Sequence, residues 1–198
     1  VTPADYFSLL ERYEKPVENG TRRVLPMKTD SQEEFPGVKN CSAFAGTDRI
    51  HWNGFDFPVS SRHYLKLNKK TSPDAAIAVG SRANSLVLLN ATSDFNKEGG
   101  IQCLDKGFDL ALMKIHYQDG SHAEIPLRTQ THSDSWNSPV LPVSGFTAFR
   151  THTDDGKYFR LLATPLRNPH PEKIISSVSF HSRTERCDWN LFGVGIEN

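Results

Sequence analysis

The sequence predicts an all-β protein, an antiparallel β-sandwich or jelly roll with a short helix at its N-terminus. From about residue 45 onward, short runs rich in Val, Ile, Phe, Tyr and Thr are separated by clusters of Gly, Pro, Asn and Asp, the spacing of strands and turns. Asp109 to Leu127 alternates in two-residue steps on both sides of a turn sequence. Leu86-Val87-Leu88-Leu89 is apolar without interruption, as a central strand covered on both faces must be.

Taken in order, Thr2, Pro3 and Asp5 have the layout of a helix N-cap, first-turn proline and acidic third position. Tyr6, Leu9, Leu10 and Tyr13 then recur at helical spacing, which predicts a short helix packed on the sandwich. Glu14 to Val38 is polar and punctuated by Pro and Gly, so it reads as a loop crossing the sandwich edge. Residues 1–45 are thus an extension of one domain that spans 1–198. Predicted strands follow at Arg49–Val59, His63–Leu67, Ala75–Val79 and Ser85–Ala91. The clearest unit is a hairpin: Ala111, Met113, Ile115 and Tyr117 alternate with Leu110, Leu112, Lys114 and His116 before Gln118-Asp119-Gly120 turns the chain. On the return, Ala123, Ile125 and Leu127 alternate with His122, Glu124 and Pro126. Tyr158–Thr164, Ile174–Phe180 and Leu191–Ile196 complete the set. In the last, Phe192, Val194 and Ile196 are expected on one side, and Gly193 and Gly195 on the other, where another backbone or ring can come close.

Bulk properties exclude some functions. Lys plus Arg number 23 and Asp plus Glu 23, so no field of one sign favours nucleic acid or an anionic membrane. No run of about 20 apolar residues is present. Cys41, Cys103 and Cys187 are far apart, which is neither a disulfide framework nor a CxxC metal pattern, and their pairing stays open. Asn-x-Ser/Thr sequons at Asn19, Asn40 and Asn90 allow glycosylation in a eukaryotic secretory route. The first five residues lack a signal-peptide layout, so the chain reads as a mature form or a cytosolic one.

Four stretches carry a family resemblance: Trp52-Asn53-Gly54-Phe55-Asp56-Phe57, Ala83 through Ala91, the hairpin from Ile115 to Leu127 with Trp136 beyond it, and Asn168-Pro169-His170-Pro171 leading into Ile174-Ile175. Over residues 50–196 their order resembles the galactose-binding-like accessory sandwiches attached to carbohydrate-active enzymes. The sequence departs from that pattern in its long N-terminal segment and in Leu166, where an aromatic often precedes the Asn-Pro turn. The resemblance implies a secreted, extracellular jelly roll, a structural Ca²⁺ ion, and a role in binding a polysaccharide or glycan or in packing against a catalytic domain.

Sugar binding needs aromatic faces for the C–H side of a pyranose and planar polar groups for its hydroxyls. Trp136 lies in a polar loop with His132 and Asp134 beside it and Arg128 before it, which nominates Arg128, His132, Asp134 and Trp136 as a contact group. Trp136 packed beneath that loop is the competing reading. Trp189, after the polar turn Arg183–Asp188, is a second nominated platform, whereas Trp52 alternates with Ile50 and reads as core. Eight histidines open an alternative: a jelly-roll lyase that cleaves a uronic-acid polymer by β-elimination. Its catalytic set would come from His116, Tyr117, His122, Arg128 and Arg160, provided that they share a face. A purely structural interdomain module is a third reading. No HExxH, His-x-His or CxxC spacing exists, and calcium ligands leave little sequence trace, so Asp30, Asp48 and Asp154 are nominated only by loop position.

Overall fold

The computed structural model describes residues 13, 22–27, 34–38, 41–68, 76–93 and 107–198. In chain order these form β1 (Arg22–Val24), a 3-10 turn (Pro36–Val38), helix α1 (Ser42–Ala45), β2 (Arg49–Trp52) and β3 (Phe55–Pro58). There follow β4 (Leu65–Leu67), β5 (Ala76–Ser81), β6 (Ser85–Ser93), β7 (Asp109–Tyr117) and β8 (His122–Arg128). The chain closes through β9 (Phe146–His152), β10 (Tyr158–Arg167), β11 (Ile175–Ser182) and β12 (Asp188–Glu197). The larger sheet runs β1-β12-β6-β10-β9 with β4 also paired to β12, the smaller runs β5-β11-β7-β8, and β2 and β3 form a hairpin of their own. Every strand pair is antiparallel, and the fold is the expected all-β sandwich.

Alternation along the central strands explains why the larger sheet is covered twice. Leu86 and Leu88 of β6 point at the smaller sheet and meet Met113, Ile115, Val178, Phe180 and Trp189 in one core. Val87 and Leu89 point the other way, into an aromatic second core with Phe35, Phe44, Phe55, Phe57, Tyr64, Phe159 and Phe192. That is why every residue of β6 and of β12 is buried. The predicted two-sided burial of Leu86–Leu89 is observed, and its second cover is the β2–β3 hairpin with α1 and Phe35.

Several details differ from the sequence reading. Arg49–Val59 is not one strand but a hairpin, because Asn53 (φ 44°) and Gly54 (φ 78°) both take positive φ, as a type I′ turn requires. Arg22–Val24, read as loop, is an edge strand on β12, with Arg22 opposite Glu197. The contact is fixed by a buried ion pair: Arg22 Nη2 lies 2.9 Å from Glu197 Oε1, and Tyr13 and Ser85 hydroxyls donate to Oε2 at 2.8 and 2.9 Å. Phe192 does not share a face with Val194 and Ile196. A bulge between Leu191 and Gly193 turns it into the aromatic core, while Val194 and Ile196 face the smaller sheet. Gly193 and Gly195 do permit close approach, since a Cβ on either would lie 2.5 Å from a ring carbon of Phe57 or Phe55. Phe146–His152, not anticipated, is an edge strand on β10. The expected Thr2–Tyr13 helix lies outside the described residues apart from Tyr13, as do Asp30, Asn19, Asn40 and Cys103.

Asn168 ties the two sheets together. Fully buried after β10, it accepts from Tyr117 Oη at 2.6 Å and from the His170 N–H at 3.1 Å. Its Nδ2 donates to the carbonyls of Ala83 at 2.8 Å and His170 at 3.1 Å. The Asn168-Pro169-His170-Pro171 turn is therefore organised around one side chain that satisfies four partners.

Candidate functional site

After β8 the chain leaves the smaller sheet and returns over the end of the larger one. The strands β6 and β10 pair from Asn90 opposite Leu162 back to Ser85 opposite Arg167. Beyond Asn90 they part, and Asp134–Trp136 is inserted between them. Thr92 N–H donates to Asp134 O at 3.0 Å, Trp136 N–H to Thr92 O at 3.1 Å, and Arg160 N–H to Trp136 O at 2.8 Å. The backbone hydrogen bonds that the separated strands would have lost are thereby restored by a non-local segment. Asp134 to Trp136 is consequently hydrogen-bonded to both strands.

The insertion places side chains in a definite way. Phe159 and Leu161 face the aromatic core, so Arg160 faces the opposite side, as does Thr92 after Ala91. Arg160 is fully buried. Its Nη2 donates to Val140 O and stands 3.5 Å from Asp134 Oδ2, while Nε and Nη1 have no hydrogen-bond partner. Burial pulls the Arg160 pKa below its ordinary value, against the opposing influence of Asp134 and Tyr158. Thr92 Oγ1 and Ser133 Oγ are likewise buried without partners. Alongside them runs a satisfied chain: Trp189 Nε1 donates to Asn90 Oδ1 at 3.2 Å, Asn90 Nδ2 to Thr164 Oγ1 at 2.9 Å, and Thr164 Oγ1 to His132 O at 2.5 Å. His132 Nδ1 accepts the Arg128 N–H at 3.0 Å, and burial, helped by the Arg128 charge, pushes the imidazole pKa down to about 4. His132 is therefore neutral at pH 7.

Over this polar end lies the rest of the loop. Ser138 N–H donates to Ser135 O at 3.1 Å, and Val143 and Ser144 N–H donate to Gln130 and Thr131 carbonyls at 2.9 and 2.7 Å. Between those anchors the tip turns apolar side chains outward: Val140, Leu141 and Val143 are 67%, 51% and 68% exposed. Loop 129–145 thus has an apolar outer surface above a polar, cationic interior.

The nominated residues divide accordingly. His132, Asp134 and Trp136 come together on this loop, with Arg160 beneath them, whereas Arg128 ends β8, where its guanidinium lies 3.2 Å from Asp109 and donates to the Gly107 carbonyl at 2.8 Å. Trp136 is half-buried, its ring 5.7 Å from that of Phe159 and 6.4 Å from that of Phe35, so it packs under the loop rather than standing out as a platform. Trp189 is not an exposed platform at all: it is buried opposite Thr92 on β12, because the bend at Arg183–Cys187 ends one residue before the strand begins. His116 and His122 face each other across the β7–β8 hairpin on the outer side of the smaller sheet, where His116 Nε2 is 3.0 Å from Ser179 Oγ. Tyr117 points inward to Asn168, and burial raises its pKa. The set proposed for elimination chemistry is therefore spread over an outer sheet face, the interior and the far end of the other sheet. Trp52 stacks on Tyr13 at 5.6 Å and on Phe55 at 6.2 Å, as a core edge.

The remaining polar nominations have structural explanations. Asp154 accepts from the Ser42 hydroxyl at 2.7 Å and the Ser42 N–H at 3.2 Å, binding the start of α1. Neither Asp48 nor Asp154 belongs to a metal-type cluster, since among the described residues no three His, Cys, Asp or Glu side chains gather. Asn90 is buried in β6, so its sequon is closed to glycosylation. Cys41 is a buried free thiol, and Cys187 is buried as well. Thr92 and the Val140–Val143 tip were not singled out from sequence. A run of Pro, Val and Leu in an otherwise polar loop was the available signal for the tip, whereas nothing local marks Thr92.

No helix among the described residues is long and apolar enough to cross a membrane. Compared with known proteins, the chain matches no family model, no curated protein and no solved structure.

Proposed function

We propose that the chain is a non-catalytic carbohydrate-binding module, an extracellular accessory sandwich that holds a polysaccharide or glycan at loop 129–145. The observation that carries this reading is the build of that loop. Val140, Leu141 and Val143 offer apolar surface to the C–H side of a sugar ring, while Asp134 and Asn137 on the same loop, and Arg128 at the end of β8 before it, serve its hydroxyls. A rigid backbone supports them, because Asp134–Trp136 is bonded into the sheet. Cleavage by β-elimination instead needs base, acid and charge-neutralising group around one sugar. Here His116 and His122 are on one surface, Tyr117 is inside, and Arg160 is beneath the loop.

The test is migration of the native chain through gels cast with neutral and acidic polysaccharides. At least one polymer retards the wild type, and Val140→Ser with Leu141→Ser relieves the retardation without changing the far-ultraviolet spectrum. Unretarded migration through every polymer, or retardation indifferent to the tip substitutions, would remove the basis for this site.

A further inference from the structure

We infer that the sugar bound at loop 129–145 carries an anionic group, and that Arg160 is the residue that reads it. This rests on the glycan-binding reading of the loop and adds the class of ligand. A guanidinium has five N–H donors. In Arg160 only Nη2 is engaged, by Val140 O and, at 3.5 Å, by the Asp134 carboxylate; Nε and Nη1 are buried with nothing to donate to. A buried cation left in that state is costly, whereas an apolar residue of similar volume would fill the same space without that cost. Two further buried hydroxyls, Thr92 Oγ1 and Ser133 Oγ, are unmet at the same end of the sheet. The unmet groups at this end, the acceptor Asn190 Oδ1 among them, thus accompany a guanidinium that has one carboxylate partner, Asp134 at 3.5 Å, and two N–H groups still to place. An acceptor-rich anion, a uronate carboxylate or a sulfate ester, offers those donors charge-assisted hydrogen bonds; a neutral hydroxyl offers only the weaker neutral kind. Asp134 faces Nη2 alone, which leaves Nε and Nη1 for the ligand.

The way in lies under the loop tip. Val140 is held by the bond from Arg160 to its carbonyl and by Ser138 Oγ, which accepts the Val140 N–H at 3.2 Å and reaches its carbonyl at 3.5 Å, and Pro139 and Pro142 have no N–H with which to make other bonds. An anion competes for the guanidinium with a neutral carbonyl, and charge-assisted hydrogen bonds are roughly twice as strong as neutral ones. Ligand entry therefore exchanges the Val140 contact for a better one.

The experiment is calorimetric titration of the full chain with polygalacturonate, its methyl ester and a sulfated galactan, for wild type, Arg160→Met and Arg160→Lys. The wild type binds at least one acidic polymer about tenfold or more tighter than the ester, and Arg160→Met binds acid and ester alike. Arg160→Lys, which keeps the charge and loses the planar donors, retains a reduced preference and covers the case in which the methionine variant does not fold. Preference for the sulfated polymer alone assigns the anion as sulfate and still supports the inference. Equal binding of acid and ester by wild type, or full preference retained in Arg160→Met, overturns the anion reading while leaving glycan binding intact. Absence of binding to all three polymers and to every neutral polysaccharide overturns both.

Discussion

Replacing Asn168 with Ala removes the side chain that joins the two sheets at the end of β10. The substitution strands two buried groups, Tyr117 Oη and the Ala83 carbonyl, which are 2.6 and 2.8 Å from the amide in the native fold. At about 1–3 kcal/mol for each buried polar group left without a partner, the expected loss is about 2–6 kcal/mol. Taking about 4 kcal/mol, the melting temperature of a chain this size falls by about 8–16 °C. Tyr117→Phe alone costs about 1 kcal/mol, because Asn168 Oδ1 keeps the His170 N–H. In the double variant no phenol is left stranded, so its cost is smaller than the sum of the two single costs by about 1–3 kcal/mol. Urea unfolding of the four proteins measures all of these quantities. A loss below about 1 kcal/mol for Asn168→Ala, or strict additivity in the double variant, would refute the claim that this amide satisfies groups from both sheets.

Other consequences are as direct. Gly195→Ala puts a methyl 2.5 Å from Cδ1 and Cε1 of the buried Phe55 ring, and overpacking of that kind costs about 1–3 kcal/mol. Gly46→Ala, whose Cβ would meet nothing nearer than 3.7 Å, leaves the unfolding midpoint unchanged; equal effects of the two glycine substitutions would contradict the described contact of β12 with β3. Acid destabilises the fold through His132. Its pKa is about 4 when folded against an ordinary 6.5, so from pH 6.5 down to 4 the unfolded chain binds a proton that the folded chain refuses, and stability drops by on the order of 3 kcal/mol. Glu197 acts in the same direction. Burial alone would raise its pKa, but hydrogen bonds from Tyr13, Arg22 and Ser85 outweigh that and hold it low, so its contribution is present above the usual carboxylate range and is lost as pH falls. His132→Gln flattens the upper part of this pH profile in urea titrations, and an unchanged profile would rule out a buried neutral imidazole.

The hairpin of β7 and β8 and the two-sided burial of β6 were legible because each depends on neighbours within one strand or across one turn. Asn53-Gly54, between the alternating runs Arg49–Trp52 and Phe55–Pro58, carried a strong hairpin signal that the reading of Arg49–Val59 as one strand passed over. Phe192 could not be placed from alternation, since a single bulged residue reverses every facing beyond it. Trp189 was misplaced for a related reason: the polar run before Asp188 belongs to the bend, while Trp189 itself belongs to the strand. The site was half legible. Composition picked out Arg128 and the loop holding His132, Asp134 and Trp136, but the burial of Arg160 arises from Asp134–Trp136 entering between β6 and β10, a pairing with no local trace. An arginine in a strand reads as a surface cation until the segment that covers it is known.

Holding rather than cutting is the central claim, and it is tested most directly by incubating the native chain with the acidic polymer that retards it and following unsaturated uronate product over many hours. The predicted result is retention of the polymer with no product above the enzyme-free control, unchanged in His116→Ala and Tyr117→Phe. Sustained product formation that either substitution abolishes would contradict the account.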